Sequence, residues 1–221
     1  MTTMNQLKLA LALALLAPLA VAGCDSDDPV ATDSGTGTPD AAADTGTGDD
    51  AGSDAALPGC AVPTASFGTE IGRNFEPLTL ADCDGVDYDF YGADFCDTSF
   101  TVVSIAAGWC GPCIMESRVL TDAITEAYRA DGVRVIQILT QTDTYGAPDG
   151  AYCSEWVSTF GLTNIELIDP AQFTGIYFPG NALPAALIVD STGQIVYREY
   201  GYAGADLAGL TAKLDQLLAA P

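Results

Sequence analysis

Two cysteines separated by two residues stand in the string Trp109-Cys110-Gly111-Pro112-Cys113. A pair at this spacing can close a small disulfide ring if it opens a helix. The first thiol then lies among unpaired backbone N–H groups at the positive end of the helix, which favours thiolate over thiol. The thiolate is the attacking species in disulfide exchange. Cys113, one turn in, suits the resolving role, and Pro112 stands where a missing N–H costs nothing. A structural disulfide or half of a zinc site would use the same spacing. A zinc ribbon needs a second close pair, and Cys60, Cys83, Cys96 and Cys153 are widely spaced. The chain contains no histidine. That excludes Ser-His-Asp and Cys-His nucleophile systems and any His-containing zinc, copper or haem site. Neither a metal nor another cofactor is expected.

The elements needed to position the pair can be read around it. Residues 100–106 (FTVVSIA) form a near-continuous apolar run suited to a central buried strand, and the cysteines follow it directly. Residues 113–130 read as a helix with Val119, Leu120, Ala123, Ile124 and Ala127 as its apolar stripe, stopped by Asp131-Gly132. Strands are expected at 77–82 and 86–91 around an Asp84-Gly85 turn, and at 133–139, 165–168, 185–189 and 194–200. Helices are expected at 151–160 and 205–218. The alternation predicts an α/β domain: a mixed central β-sheet flanked by helices on both faces.

The rest of the 221-residue chain is uneven. Residues 9–22 are a Leu/Ala-rich run, too short to span a bilayer comfortably but suited to a signal peptide. The run ends in Val21-Ala22-Gly23-Cys24, which resembles a bacterial lipobox. We therefore expect residues 1–23 to be a lipoprotein signal peptide and Cys24 to carry lipid, holding the protein to a membrane without a spanning helix. Residues 24–57 hold nine aspartates, no Lys or Arg and almost no large apolar side chain. They read as a disordered, self-repelling tether. The folded domain is expected over 58–221. The whole chain carries a net charge of −23, which argues against a nucleic-acid partner.

With these features in place, the sequence resembles the thioredoxin superfamily, in particular the membrane-tethered TlpA/ResA-like thiol-disulfide oxidoreductases. The resemblance covers about residues 70–218 and has three supports: the Trp-Cys-Gly-Pro-Cys string, the run Asn181-Ala182-Leu183-Pro184 before the strand AALIVD, and Glu116. It implies a thioredoxin-like fold with Cys110 as nucleophile and Cys113 as resolving thiol. Pro184 would be a cis-proline facing the disulfide, with Trp109 and Leu183 also contacting substrate, Leu183 through its backbone. Glu116, three residues past Cys113 on the same helix face, could take the Cys113 proton, or could simply favour the first turn of the helix. Six residues before Cys110, where thioredoxins bury an aspartate, this chain has Ser104; Arg118 replaces a helix-kinking proline, so a straighter helix is expected.

The resemblance further implies reduction of disulfide-containing exported proteins, apocytochromes among them, with electrons from a membrane thiol donor. The protein would be a monomer in the cell envelope facing the periplasm or exterior. Two alternatives stay on the same fold. A thiol peroxidase usually has proline and threonine upstream of its cysteine, where this chain has Ala106-Ala107-Gly108-Trp109. A non-catalytic binding or copper-chaperone module would use a CxxxC and a histidine. An exported protein meets an oxidising compartment, so the remaining four cysteines are expected to form two structural disulfides. Cys83–Cys96 is preferred because the Asp84-Gly85 turn folds Cys83 back toward the segment before the central strand, and Cys60–Cys153 follows by elimination.

Overall fold

The computed structural model describes residues 61–220. The signal segment, the tether with Cys24, and Cys60 lie outside the described residues. Seven strands form one sheet: β1 (Thr79–Asp82), β2 (Asp87–Asp89), β3 (Phe100–Ala106), β4 (Val133–Leu139), β5 (Ile165–Ile168), β6 (Ala185–Asp190) and β7 (Ile195–Tyr200). Their spatial order is β2-β1-β5-β4-β3-β6-β7. Strands β3, β4 and β5 run parallel, while β1, β2, β6 and β7 join antiparallel. Every residue of β4 is buried, as a strand covered on both faces requires, and this accounts for the largely apolar runs of β3 and β4.

Helices α1 (Gly111–Leu120), α3 (Gly150–Phe160) and α4 (Ala208–Leu218) surround one sheet face. Side chains of α1 and α3 reach Ser104 and Gln137, which are register partners on β3 and β4. The N-terminal turn of α4 lies against Tyr197 and Glu199 of β7. On the opposite face, Arg134 bonds to Thr101 and to the carbonyl of Phe90. There Phe75, Phe90, Tyr91, Phe95 and Tyr177 form an aromatic cluster, contributed in part by the short 3-10 helices Ala93–Asp97 and Phe173–Tyr177. Among the described residues no helix is long and apolar enough to cross a membrane.

Two elements depart from the sequence reading. The helix after the dithiol is not a regular α-helix throughout: α1 ends at Leu120, a π-helical turn follows at Thr121–Thr125, and short helical pieces at α2 (Glu126–Tyr128) and Arg129–Asp131 complete it. The Thr125 hydroxyl donates to the Leu120 carbonyl five residues back at 3.4 Å, which fits the wider turn. The Thr121 hydroxyl meanwhile donates to the Gly161 carbonyl, tying the turn to the end of α3. The last helix begins at Ala208 and not Ala205, because Leu207 is fully buried with a left-handed backbone (φ 46°).

The disulfide pairing is a correction. Cys83 is bonded to Cys153, with Cα atoms 5.1 Å apart, so neither Cys83–Cys96 nor Cys60–Cys153 forms. Strand β1 docks on β5, pairing Asp82 with Leu167. That carries the β1–β2 turn to the start of α3, the helix leading into β5. The approach is close: a Cβ on Gly150 would lie 2.4 Å from the Cys83 carbonyl oxygen. Cys96, in the 3-10 helix on the other face, is disulfide-bonded as well.

Candidate active site

Strand β3 ends at Ala106, and four residues later Cys110 caps the start of α1. Cys110 and Cys113 form a disulfide with Cα atoms 5.2 Å apart. The Cys113 backbone N–H donates to Cys110 Sγ at 3.2 Å. A thiolate at Cys110 would accept this same bond, beside the positive end of the helix. Cys113 has no exposure and Cys110 only 4 %. Access to the sulfurs is therefore narrow, and the outer sulfur is the one an incoming disulfide can meet. Pro112 lies in the first helical turn, as its missing N–H allows.

The Leu183–Pro184 bond is cis. Register places it beside the dithiol: Ile105 pairs with Ala185, so Pro184 enters β6 next to the end of β3 from which the Cys110 loop departs. The Pro184 carbonyl accepts from Gly201 N at 2.8 Å, and the Leu183 N–H is engaged by the Asn181 carbonyl at 2.9 Å. Trp109, half-buried, stacks on Tyr145 with centroids 5.2 Å apart. Its indole N–H donates to Gln141 Oε1 at 3.0 Å. These contacts pin the loop after β4 to the dithiol loop.

Glu116 sits one turn beyond Cys113, 2 % exposed, and accepts from Ser104 Oγ at 2.6 Å. Burial pushes its carboxyl up to about 7, against a smaller downward pull from the Ser104 hydrogen bond; the charge of Glu199 adds to the rise. Ser104 Oγ in turn accepts from Gln137 Nε2 at 3.2 Å. Gln137 Oε1 accepts from Ser117 Oγ at 3.1 Å and from Trp156 Nε1 at 2.9 Å. A buried polar network thus runs from β4 through β3 to the carboxyl on α1. The sequence pointed to Ser104 only as a missing acid, and it passed over Gln137. The available signal was a lone amide in the apolar strand VRVIQIL, which burial obliges to find partners.

The arrangement suits exchange of the Cys110–Cys113 disulfide with an external dithiol, or the reverse, beside a carboxyl able to hold or release a proton near neutrality. The comparisons agree. No curated protein sequence matches the chain. Among solved structures it is similar to a candidate thiol:disulfide interchange protein DsbE from Chlorobium tepidum, with TM-score 0.56 and 18% identity over 67% of this chain and 98% of that one. It is also similar to a thiol-disulfide oxidoreductase from Bacteroides fragilis (TM-score 0.54, 17% identity, 66% and 99% covered) and to the thioredoxin domain of one from Bacteroides vulgatus (0.53, 16%, 67% and 98%). At such identities the likeness is one of fold, and that fold is thioredoxin-like. The Redoxin family profile matches residues 58–215. This is well over half of the chain, which belongs to the Redoxin family and is an enzyme of the thiol-disulfide oxidoreductase class.

Proposed function

We propose that the enzyme reduces disulfides in exported proteins, working in the cell envelope and tethered through lipid on Cys24. The observation that carries the reading is the Cys110–Cys113 pair at the start of α1, with Cys113 N–H donating to Cys110 Sγ. In the reduced enzyme the Cys110 thiolate attacks one sulfur of a client disulfide. A bond forms between Cys110 and the client, and the other client sulfur leaves as thiolate. Cys113 then gives its proton to Glu116 and attacks Cys110 Sγ. This closes the enzyme disulfide and expels the second client thiolate, so two electrons have passed from enzyme to client. Trp109, Leu183 and Pro184 border the dithiol and would contact the client chain.

Export is supported by the leader and Cys24, and by the Cys83–Cys153 disulfide, which suits an oxidising compartment. Sustained reduction there requires a membrane thiol donor to regenerate the dithiol. Apocytochromes, whose thiols must be reduced before haem attachment, are suitable clients, and the enzyme is expected to act as a monomer. The test uses Cys113→Ser with insulin as a protein disulfide. The variant should accumulate a Cys110-linked adduct on non-reducing gels, while the unaltered protein turns insulin over. No adduct and no reduction would overturn the proposal.

A further inference from the structure

Beside the dithiol, on the side away from Pro184, α1 and α3 leave an open cavity of about 350 Å³. Gly108 and Ile114, which flank the cysteines in sequence, form one wall. Tyr152, Trp156 and Phe160, spaced four residues apart on one stripe of α3, form the floor, with Trp156 and Phe160 edge to face at 4.6 Å. Asp143 and Glu155 supply the rim, and both are exposed. Among the described residues neither carboxylate is in an ion pair, and no Lys or Arg lines the cavity.

The rim is held in place. Tyr152 Oη accepts from Asp143 N at 3.1 Å, and Gly108 N donates to the Gln141 carbonyl at 2.8 Å. The fit at this point excludes any side chain on residue 108: a Cβ there would lie 1.9 Å from Tyr152 Oη and 2.6 Å from Asp143 N. The backbone of Asp143 is thereby fixed at the rim of the cavity, against Gly108, two residues before Cys110.

We infer that this cavity is a subsite for a cationic side chain, lysine or arginine, of the polypeptide whose disulfide is exchanged. The inference rests on the functional reading above. Its size is at the low end for small-ligand pockets, about 300–1,000 Å³, and suits a single side chain. The aromatic floor takes the alkyl stem or the face of a guanidinium. The two unpaired carboxylates receive the charge, and a chain covalently held at Cys110 delivers its neighbouring residues to this spot. The described domain supplies no cation of its own to fill the place. An acidic side chain would meet like charge, so the subsite selects among clients and is not a general attraction.

The test reduces a series of disulfide-linked peptides that differ only in one residue beside the cysteine: Lys, Arg, norleucine or Glu. Second-order rate constants are measured with the reduced full chain. Lys and Arg peptides should react about ten-fold faster than the norleucine peptide, and the Glu peptide slower. The double variant Asp143→Asn/Glu155→Gln should lose that preference and keep the norleucine rate. Asp97→Asn/Asp131→Asn, which removes the same charge from the other end of the sheet, before the starts of β3 and β4, should retain it. Equal rates across the peptides, or a preference that survives in the first double variant or vanishes in the second, would overturn the subsite while leaving the reductase intact. No reaction with any peptide would overturn the functional reading and the subsite together.

Discussion

Replacing Glu116 by Gln isolates the buried carboxyl beside the dithiol. Its proton is held to about 7 against an ordinary value of 4.5. The native state therefore keeps a proton that the unfolded chain has released across that window, and stability falls as pH rises through it. Taken at 1.36 kcal/mol per unit, the loss between about pH 5 and about pH 8 comes to about 2.5 kcal/mol. Gln is of similar shape, its amide oxygen can accept from Ser104, and it does not titrate. The assay is urea unfolding of the oxidised protein and the variant at both pH values. Glu166, also pushed up by burial, contributes to both proteins and cancels in the difference. The variant should gain about 2.5 kcal/mol on the parent from the lower to the higher pH, or about 1.2 M in urea midpoint at a slope of about 2 kcal/mol/M. A constant offset at both pH values would refute the reasoning, because it would mean that the carboxyl is not carrying its proton into the folded state.

Ser104→Ala removes the hydrogen bond that holds the Glu116 carboxyl down, so the pH profile of mixed-disulfide resolution should move to higher pH; an unmoved profile would separate Glu116 from that step. Arg134→Met deletes a buried guanidinium that bonds Thr101, Tyr88 and the Phe90 carbonyl and pairs with Asp94 at 3.0 Å, and should cost about 3 kcal/mol in denaturant unfolding. Cys83→Ala/Cys153→Ala opens a link between residues 70 apart and should lose up to about 4 kcal/mol of stability, with insulin reduction at ambient temperature little changed. Gly108→Ala drives a methyl into Tyr152 and the Asp143 backbone; about 2 kcal/mol of destabilisation is expected, with thermal unfolding as the measure.

The strand–dithiol–helix unit was legible because each part carries a local signal: an apolar run, a fixed cysteine spacing, a proline allowed only in a first turn. The α/β class followed from the alternation of such units. Cys83 and Cys153 were mispaired because sequence shows the Asp84-Gly85 turn but not which edge the hairpin joins. Only the docking of β1 on β5 brings Cys83 to α3. The π turn at Thr121–Thr125 was hidden for a similar reason. Its ties, Thr125 to the Leu120 carbonyl and Thr121 to the Gly161 carbonyl at the end of α3, are made by side chains whose partners the sequence does not name. The partners of Glu116 depended on register: Gln137 meets Ser104 because β3 and β4 align residue for residue from Phe100↔Val133 onward. A lone strand does not state that offset.

The donor that meets Cys110 Sγ is the main-chain N–H of residue 113. Every amino acid but proline brings that group, so no ordinary side-chain substitution deletes it. The reactivity of the outer sulfur is in this respect inherited with the backbone. The groups around it, such as Ser104, Glu116 and the carboxylates near Gly108, are side chains and can be replaced one at a time. They can adjust proton affinity or client preference in descendants while the central bond persists, which separates what makes the chemistry available from what adapts it to a lineage.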